Sequence, residues 1–230
     1  MPRTNRDQLL ATASLLRPVL SELVFVGGAI TGELITDQAA GEPRATFDVD
    51  VIAELSTYAE YTLFGERLRG LGFTEDTTEG SPVCRWIQGA VVLDVMPLEN
   101  KVLGFTNRWY REAIRTATLH TLAEDLQVRM ITPAAFLATK LEAFKGRGYN
   151  DFFGSHDLED VIFVIDGRAS LVEELRAETA ELKSYLRDEI AKLLANPRFL
   201  DALPGYLSPD TASQARIKIV LSRLNQFRTL

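Results

Sequence analysis

Three apolar residues running directly into a glycine pair, Val24-Phe25-Val26-Gly27-Gly28, constrain this chain more than any other stretch. An apolar run bounded by glycine reads as a buried strand that stops abruptly, and Ala29-Ile30-Thr31-Gly32-Glu33-Leu34 reads as the opening of a helix. The glycines then lie at that helix's N-terminus. Backbone N–H groups there lack intrahelical acceptors and sit at the positive end of the helix dipole, so a glycine turn lets a phosphate approach closely. A second run, Phe47-Asp48-Val49-Asp50-Val51, carries two acids at a spacing of two. On a strand that spacing sends both carboxylates off one face, about 7 Å apart at their Cα atoms. Two carboxylates on one face suit Mg²⁺, and a phosphate cradle with a divalent-cation site points to nucleotide chemistry.

The flanking segments supply a small mixed sheet and its covering helices. Leu9, Leu10, Ala13, Leu16 and Leu20 make one helical face over residues 6–20, and residues 37–43 are polar and small, as in a loop. Thr57 and Glu60 form a capping-box pair for a helix ending near Gly70 or Gly72. Strands are expected over 73–75, 83–87 and 90–96, the last two joined at Gln88-Gly89 as a tight hairpin. Asp94 lies in the middle of Val92-Leu93-Asp94-Val95-Met96, and burying a carboxylate costs several kcal/mol unless something pairs with it. A metal or a structural ion pair satisfies that requirement, and an edge strand with its acid in water avoids it. The lone cysteine, Cys84, has no disulfide partner in the chain and reads as a core residue.

The second half is expected to be helical. A helix is predicted over 107–117, irregular or extended chain follows to Met130, and Thr132 with Pro133 opens a helix to about residue 145. Lys140, Phe144 and Arg147 fall near one line on it, facing a triphosphate or snorkelling at a surface. Residues 146–150 form a loop, and Ser155 caps the next helix with Asp157 and Glu159 in its first turn, where the dipole alone favours acids. Neither His120 nor His156 has a partner at zinc-ligand spacing. Ser170 with Glu173 is expected to open a long helix to about residue 195, and a terminal helix spans 210–227. The fold class is therefore α+β, with a sheet core over 1–120 and a helical lobe over 121–230 that completes the nucleotide site.

At 230 residues and 46% hydrophobic composition the chain has a sizeable core throughout. It has no apolar run of about 18 residues and no signal-like N-terminus, so the expectation is a cytoplasmic protein with no membrane partner. A net charge of -7 argues against a generally basic nucleic-acid coat. Local stripes, Arg108 with Arg111 and Arg115, and Arg216 with Arg223, read as solvated helix faces first and as RNA contacts second.

Strand, Gly-Gly, helix and then Arg44-x-Thr46-x-Asp48-x-Asp50 resembles the core motif of the polymerase-β-type nucleotidyltransferases. Residues 132–144, Arg147 and Ser155-His156-Asp157-Leu158-Glu159-Asp160 are similar to the AbiEii/MenT-like nucleotidyltransferase toxins of prokaryotes, a resemblance spanning residues 24–168. It implies an NTP co-substrate and Mg²⁺ held by Asp48, Asp50 and Asp94, the third acid lying on a neighbouring strand. It implies phosphate contacts from Gly27, Gly28, Lys140 and Arg147, and a catalytic role for Asp157. Many superfamily members have Gly-Ser where this chain has Gly-Gly, and Thr31 is the candidate replacement hydroxyl. The implied acceptor is RNA, with the tRNA 3′ end as natural candidate, and the implied partner is an antitoxin. Transfer to a small hydroxylated molecule such as an antibiotic, and a non-catalytic nucleotide-binding regulator, remain the alternatives.

Overall fold

Among the described residues seven strands form one mixed sheet, in the order β3 (Thr74–Glu75), β4 (Arg85–Gln88), β5 (Val91–Met96), β2 (Val49–Ala53), β1 (Leu23–Val26), β7 (Leu126–Met130), β6 (Thr118–Ala123). The computed structural model describes residues 4–147 and 151–230, except for the side chain of Arg147. The chain is α+β and divides into two compact units, 1–30 with 45–132 and 31–44 with 133–230.

The first unit holds the whole sheet. Helix α1 (Asn5–Leu15) starts at Thr4, whose hydroxyl accepts from the Asp7 N–H while the Asp7 carboxylate accepts from the Thr4 N–H. It is shorter than the expected 6–20, because Pro18 enters a 3₁₀ helix, Arg17–Glu22. Strand β1 (Leu23–Val26) is buried along its length. It lies between β2 (Val49–Ala53), antiparallel to it, and β7 (Leu126–Met130), parallel to it. The turn after β1 is a six-residue 3₁₀ helix, Gly28–Glu33, in place of the expected α-helix. The dipole argument for a phosphate site after the glycines therefore loses its helix.

Helix α2 (Tyr58–Gly70) has the expected capping box of Thr57 and Glu60. Gly65 lets this helix approach the sheet, since a Cβ there would lie 3.0 Å from the Trp86 ring. Strands β3 (Thr74–Glu75), β4 (Arg85–Gln88) and β5 (Val91–Met96) follow, with β4 and β5 joined in the expected hairpin. Helices α3 (Asn100–Leu103) and α4 (Tyr110–Thr116) precede β6 (Thr118–Ala123), which pairs antiparallel with β7. Residues 118–130, expected to be irregular or extended, thus form a hairpin. Because β7 pairs with β1, the sheet continues past residue 120.

The second unit is helical. Helix α5 (Pro133–Arg147) packs on α6 (His156–Gly167), which Ser155 caps by accepting from the Leu158 N–H. The long helix expected after Ser170 is two: α7 (Leu171–Arg176) and α8 (Ala180–Leu194). Ser170 donates to Glu174 instead of capping, and Thr179 restarts the helix by accepting from the Leu182 N–H. Helix α9 (Pro197–Ala202) follows Asn196, and the expected terminal helix is likewise two, α10 (Thr211–Ala215) and α11 (Ile217–Gln226). Among the described residues no helix is long and apolar enough to cross a membrane.

Candidate active site

Register on three adjacent strands gathers the acids of the first unit. Asp50 on β2 is the Cα partner of Asp94 on β5, and Asp94 is the partner of Arg85 on β4. In-register partners project to the same face, so the three side chains form one row. Asp48, two residues before Asp50, joins that face. The Arg85 guanidinium holds Asp94 through a fork, Nε to Oδ1 at 2.8 Å and Nη2 to Oδ2 at 2.8 Å. The same Nη2 donates to Asp48 Oδ2 at 2.6 Å, and Asp48 Oδ1 accepts from the Thr46 hydroxyl at 2.8 Å. Asp94, 4% exposed, has the partner that its place in an apolar strand demanded.

Gly27 is shaped by the same acids. Its φ is +74°, and a Cβ built there would lie 1.8 Å from Asp50 Oδ2 and 2.7 Å from Asp50 Cβ. The first glycine thus leaves the space that the Asp50 side chain fills. The positive φ and this close approach are both reasons for glycine.

The electrostatics follow from the pairing. The hydrogen bond to Asp94, opposed by burial and helped by the charges of Asp94 and Asp48, raises the Arg85 pKa well above its ordinary value. The neighbouring Cys84 thiol is pushed up to about 12, first by burial and then by the negative charges of Asp94 and Asp50. A thiol so placed stays protonated and is a poor nucleophile.

Hard oxygen donors are the right chemistry for Mg²⁺, and two of the three carboxylates already converge on one cationic group, the Arg85 guanidinium. The donor set therefore fits a cation. Among the described residues, however, no group of three His, Cys, Asp or Glu is spaced to hold a metal ion as it stands.

The second unit has its own charged cluster. Lys140, 7% exposed, lies 3.2 Å from Asp157 Oδ1 and 2.7 Å from Asp160 Oδ2, with its Nζ 5.8 Å from the centre of the Phe136 ring. Asp160 also accepts a fork from Arg44, at 2.9 and 3.0 Å. Burial works against the Arg44 charge, but the Asp160 hydrogen bond, with the charges of Asp160, Glu159 and Asp157, raises its pKa on balance. Lys140 is thus buried and ion-paired rather than snorkelling at a surface. Thr31 is fully buried; Gly146 and Arg147, expected in a loop, are the last residues of helix α5, and the Arg147 side chain and the rest of that loop, 148–150, lie outside the described residues.

Both arginine stripes contain structural contacts. Arg111 pairs with Glu99, Arg115 with Glu112 through two bonds of 2.9 and 2.6 Å, and the Arg108 guanidinium lies 5.0 Å from the Trp109 ring centre. Arg216 holds Asp166 and Asp37, and Arg223 donates to the Ile165 and Asp166 carbonyls. The latter pair sits at the C-terminus of α6, where cations complement the dipole. Sequence reasoning missed two residues, Arg85 and Asp160. The first was hidden by one residue of register: a turn at Gln88-Gly89 sets Arg85 opposite Val92, whereas the observed pairing of Gln88 with Val91 brings it opposite Asp94.

No family model and no curated protein matches the chain. Among solved structures it is similar to an antigenic nucleotidyltransferase-like protein from Paracoccidioides brasiliensis, with 21% identity and a TM-score of 0.48. The match covers 86% of this chain and 92% of that one. At that distance the likeness carries no conclusion about catalysis.

Proposed function

We propose that the protein transfers a nucleoside monophosphate from an NTP to an acceptor hydroxyl. One observation carries this reading: Asp50 and Asp94 are register partners on parallel strands, and Asp48 and Asp94 share one cation at 2.6 and 2.8 Å. Three carboxylates on one face beside a glycine-lined turn suit the triphosphate chemistry that the motif resemblance implies. Asp48, Asp50 and Asp94 would hold Mg²⁺, which neutralises phosphate charge and lowers the pKa of a bound hydroxyl. In the reaction the acceptor oxygen bonds to the α-phosphorus and the bond to the α,β-bridging oxygen breaks. Pyrophosphate leaves with the electron pair, and one of the carboxylates accepts the hydroxyl proton. Gly27 sets the position of Asp50 by leaving room for it. Lys140, Arg147 and Asp157 keep the nucleotide-binding and catalytic roles that the resemblance gives them.

The acceptor in this reading is RNA, with the tRNA 3′ end foremost, and the biological setting is a toxin checked by an antitoxin. A second reading, a small hydroxylated acceptor, is favoured by the pairing of Arg111 and Arg115 with acids, which leaves those charges already answered. Incubation of the purified protein with each α-labelled NTP, Mg²⁺ and total tRNA or a panel of hydroxylated small molecules tests both. Label in tRNA supports the first acceptor and label in a small molecule the second. No transfer to any acceptor, with NTP binding intact, turns the protein into a nucleotide-binding regulator.

A further inference from the structure

We propose that Arg85 is the resident counter-cation of the acid row, and that a divalent metal enters by displacing its guanidinium from Asp48 and Asp94 toward Asp76. This rests on the reading of the row as a metal site. The Arg85 fork engages both oxygens of Asp94 and one of Asp48, so three of the six carboxylate oxygens of Asp48, Asp50 and Asp94 face a fixed positive charge. A divalent ion bound to the same oxygens would lie against that charge, and like charges at such separations repel strongly. Occupancy by Arg85 and by metal are therefore competing states of one site.

The structure gives the guanidinium both freedom to leave and somewhere to go. Its side chain is 23% exposed whereas that of Asp94 is 5% exposed, so the acid is fixed in the sheet and the base has a face to solvent. Arg85 opens β4, where its carbonyl accepts from the Asp76 N–H at 3.0 Å. The Asp76 carboxylate is held nearby by Ser81, at 2.5 Å, and by the Thr78 N–H, at 3.0 Å. Its pKa is lowered by those hydrogen bonds first, with a further contribution from the charge of Arg85. Asp76 is thus a preformed anion within electrostatic range of the guanidinium. Continuing the β3–β4 register past Glu75 and Trp86 sets Asp76 beside Arg85 on the side away from Asp94, so an arginine turned toward it no longer occupies the metal's donors. A two-state arrangement of this kind stabilises the buried Asp94 when metal is absent and makes metal affinity depend on a single side chain.

Mn²⁺ binding followed by electron paramagnetic resonance tests the exchange without reference to turnover. Arg85→Met should bind Mn²⁺ at least tenfold more tightly than the parent, and Arg85→Lys, which keeps a cation but loses the fork, should fall between them. Asp76→Asn should weaken binding severalfold in the parent and leave Arg85→Met unaffected. A measurement on the unaltered chain keeps the test open if Arg85→Met fails to fold. The ¹⁵N-resolved Nε–H resonance of Arg85 should shift and lose protection from exchange as Mg²⁺ saturates the site. Equal Mn²⁺ affinity in parent and Arg85 variants, or an Arg85 resonance untouched by bound Mg²⁺, overturns the exchange and leaves the metal site standing. Absence of Mn²⁺ binding in every protein, the parent included, overturns the metal site itself.

Discussion

Gly27→Ala is the sharpest perturbation of the acid row, because its cost separates into two parts that a second substitution can tell apart. The first part is conformational: φ at this position is +74°, and an L-residue there costs roughly 1–2 kcal/mol. The second is steric. The new methyl would lie 1.8 Å from Asp50 Oδ2, 2.6 Å from Cγ and 2.7 Å from Cβ. Rotation about χ1 can move the carboxylate, but Cβ is fixed to the backbone of β2, so β1, β2 or both must shift. Overpacking of that kind costs about 1–3 kcal/mol, which puts the total near 2–5 kcal/mol. In an Asp50→Gly background the steric part vanishes, and Gly27→Ala should cost only the conformational 1–2 kcal/mol or so. Urea denaturation of the four proteins gives the coupling directly, and nucleotide transfer by Gly27→Ala should fall at least a hundredfold because Asp50 has moved. Equal costs in both backgrounds, with transfer at the parent level, would refute the claim that Gly27 exists to accommodate Asp50.

Four other outcomes are expected. Asp48→Ala and Asp50→Ala should abolish transfer while circular dichroism stays native, and activity near that of the parent in either would remove the acids from the chemistry. Lys140→Met should destabilise the protein by about 3–5 kcal/mol, since it leaves Asp157 and Asp160 buried without their shared lysine; a denaturation midpoint equal to the parent's would contradict that. Cys84 favours its protonated form in the fold, with a pKa raised from an ordinary 9.0 to about 12, so the unfolded chain loses the proton first. Its contribution to stability is complete below about pH 9 and lost as pH rises toward 12, and Cys84→Ala should flatten the decline in Tm above pH 9. Reversing Arg111 and Arg115 should leave the slope of log acceptor KM against log salt almost unchanged, because both already answer glutamates; a loss of about one unit per arginine would mean that RNA phosphates bind α4.

Local rules read much of this fold correctly. Thr57 with Glu60 and Ser155 before α6 are each decided by a few neighbouring residues and appear as expected, while the β4–β5 hairpin forms with its turn at Gly89-Ala90, one residue past the expected Gln88-Gly89. The failures have a common cause. Ser170 and Glu173 satisfy the same capping pattern as Thr57 and Glu60, yet Ser170 donates to Glu174, which also accepts from Arg168. The pattern cannot exclude a competitor one residue farther on. The continuous terminal helix is likewise interrupted beside Arg216, whose guanidinium is committed to Asp166 and Asp37 far away in sequence. The β6–β7 hairpin escaped because β6 is mostly exposed and lacks a regular pattern; Leu126, Val128 and Met130 do alternate along β7, and pairing with the buried β1 fixes its place.

Legibility of the site divides at the same line. The acids of the Asp48-x-Asp50 pair are visible because strand periodicity alone puts them on one face. Asp94 is visible because a carboxylate in an apolar run must be answered. From the sequence a metal and an ion pair both answer it, and a single-residue view treats those as exclusive. The hairpin register removes the choice: once Gln88 opposes Val91, Arg85 opposes Asp94, and an arginine opposite a buried acid pairs with it whether or not the acid also serves a metal. An acid row without such a base would carry adjacent buried carboxylates through folding before any metal arrived, an arrangement that mutual repulsion disfavours. Arg85 supplies the positive charge during folding, and its exposed edge allows that charge to leave afterwards. In the proposed exchange the ion pair and the metal would be successive occupants of one set of oxygens, so finding the first argues for the second only if the base can move, which the Nε resonance of Arg85 reports.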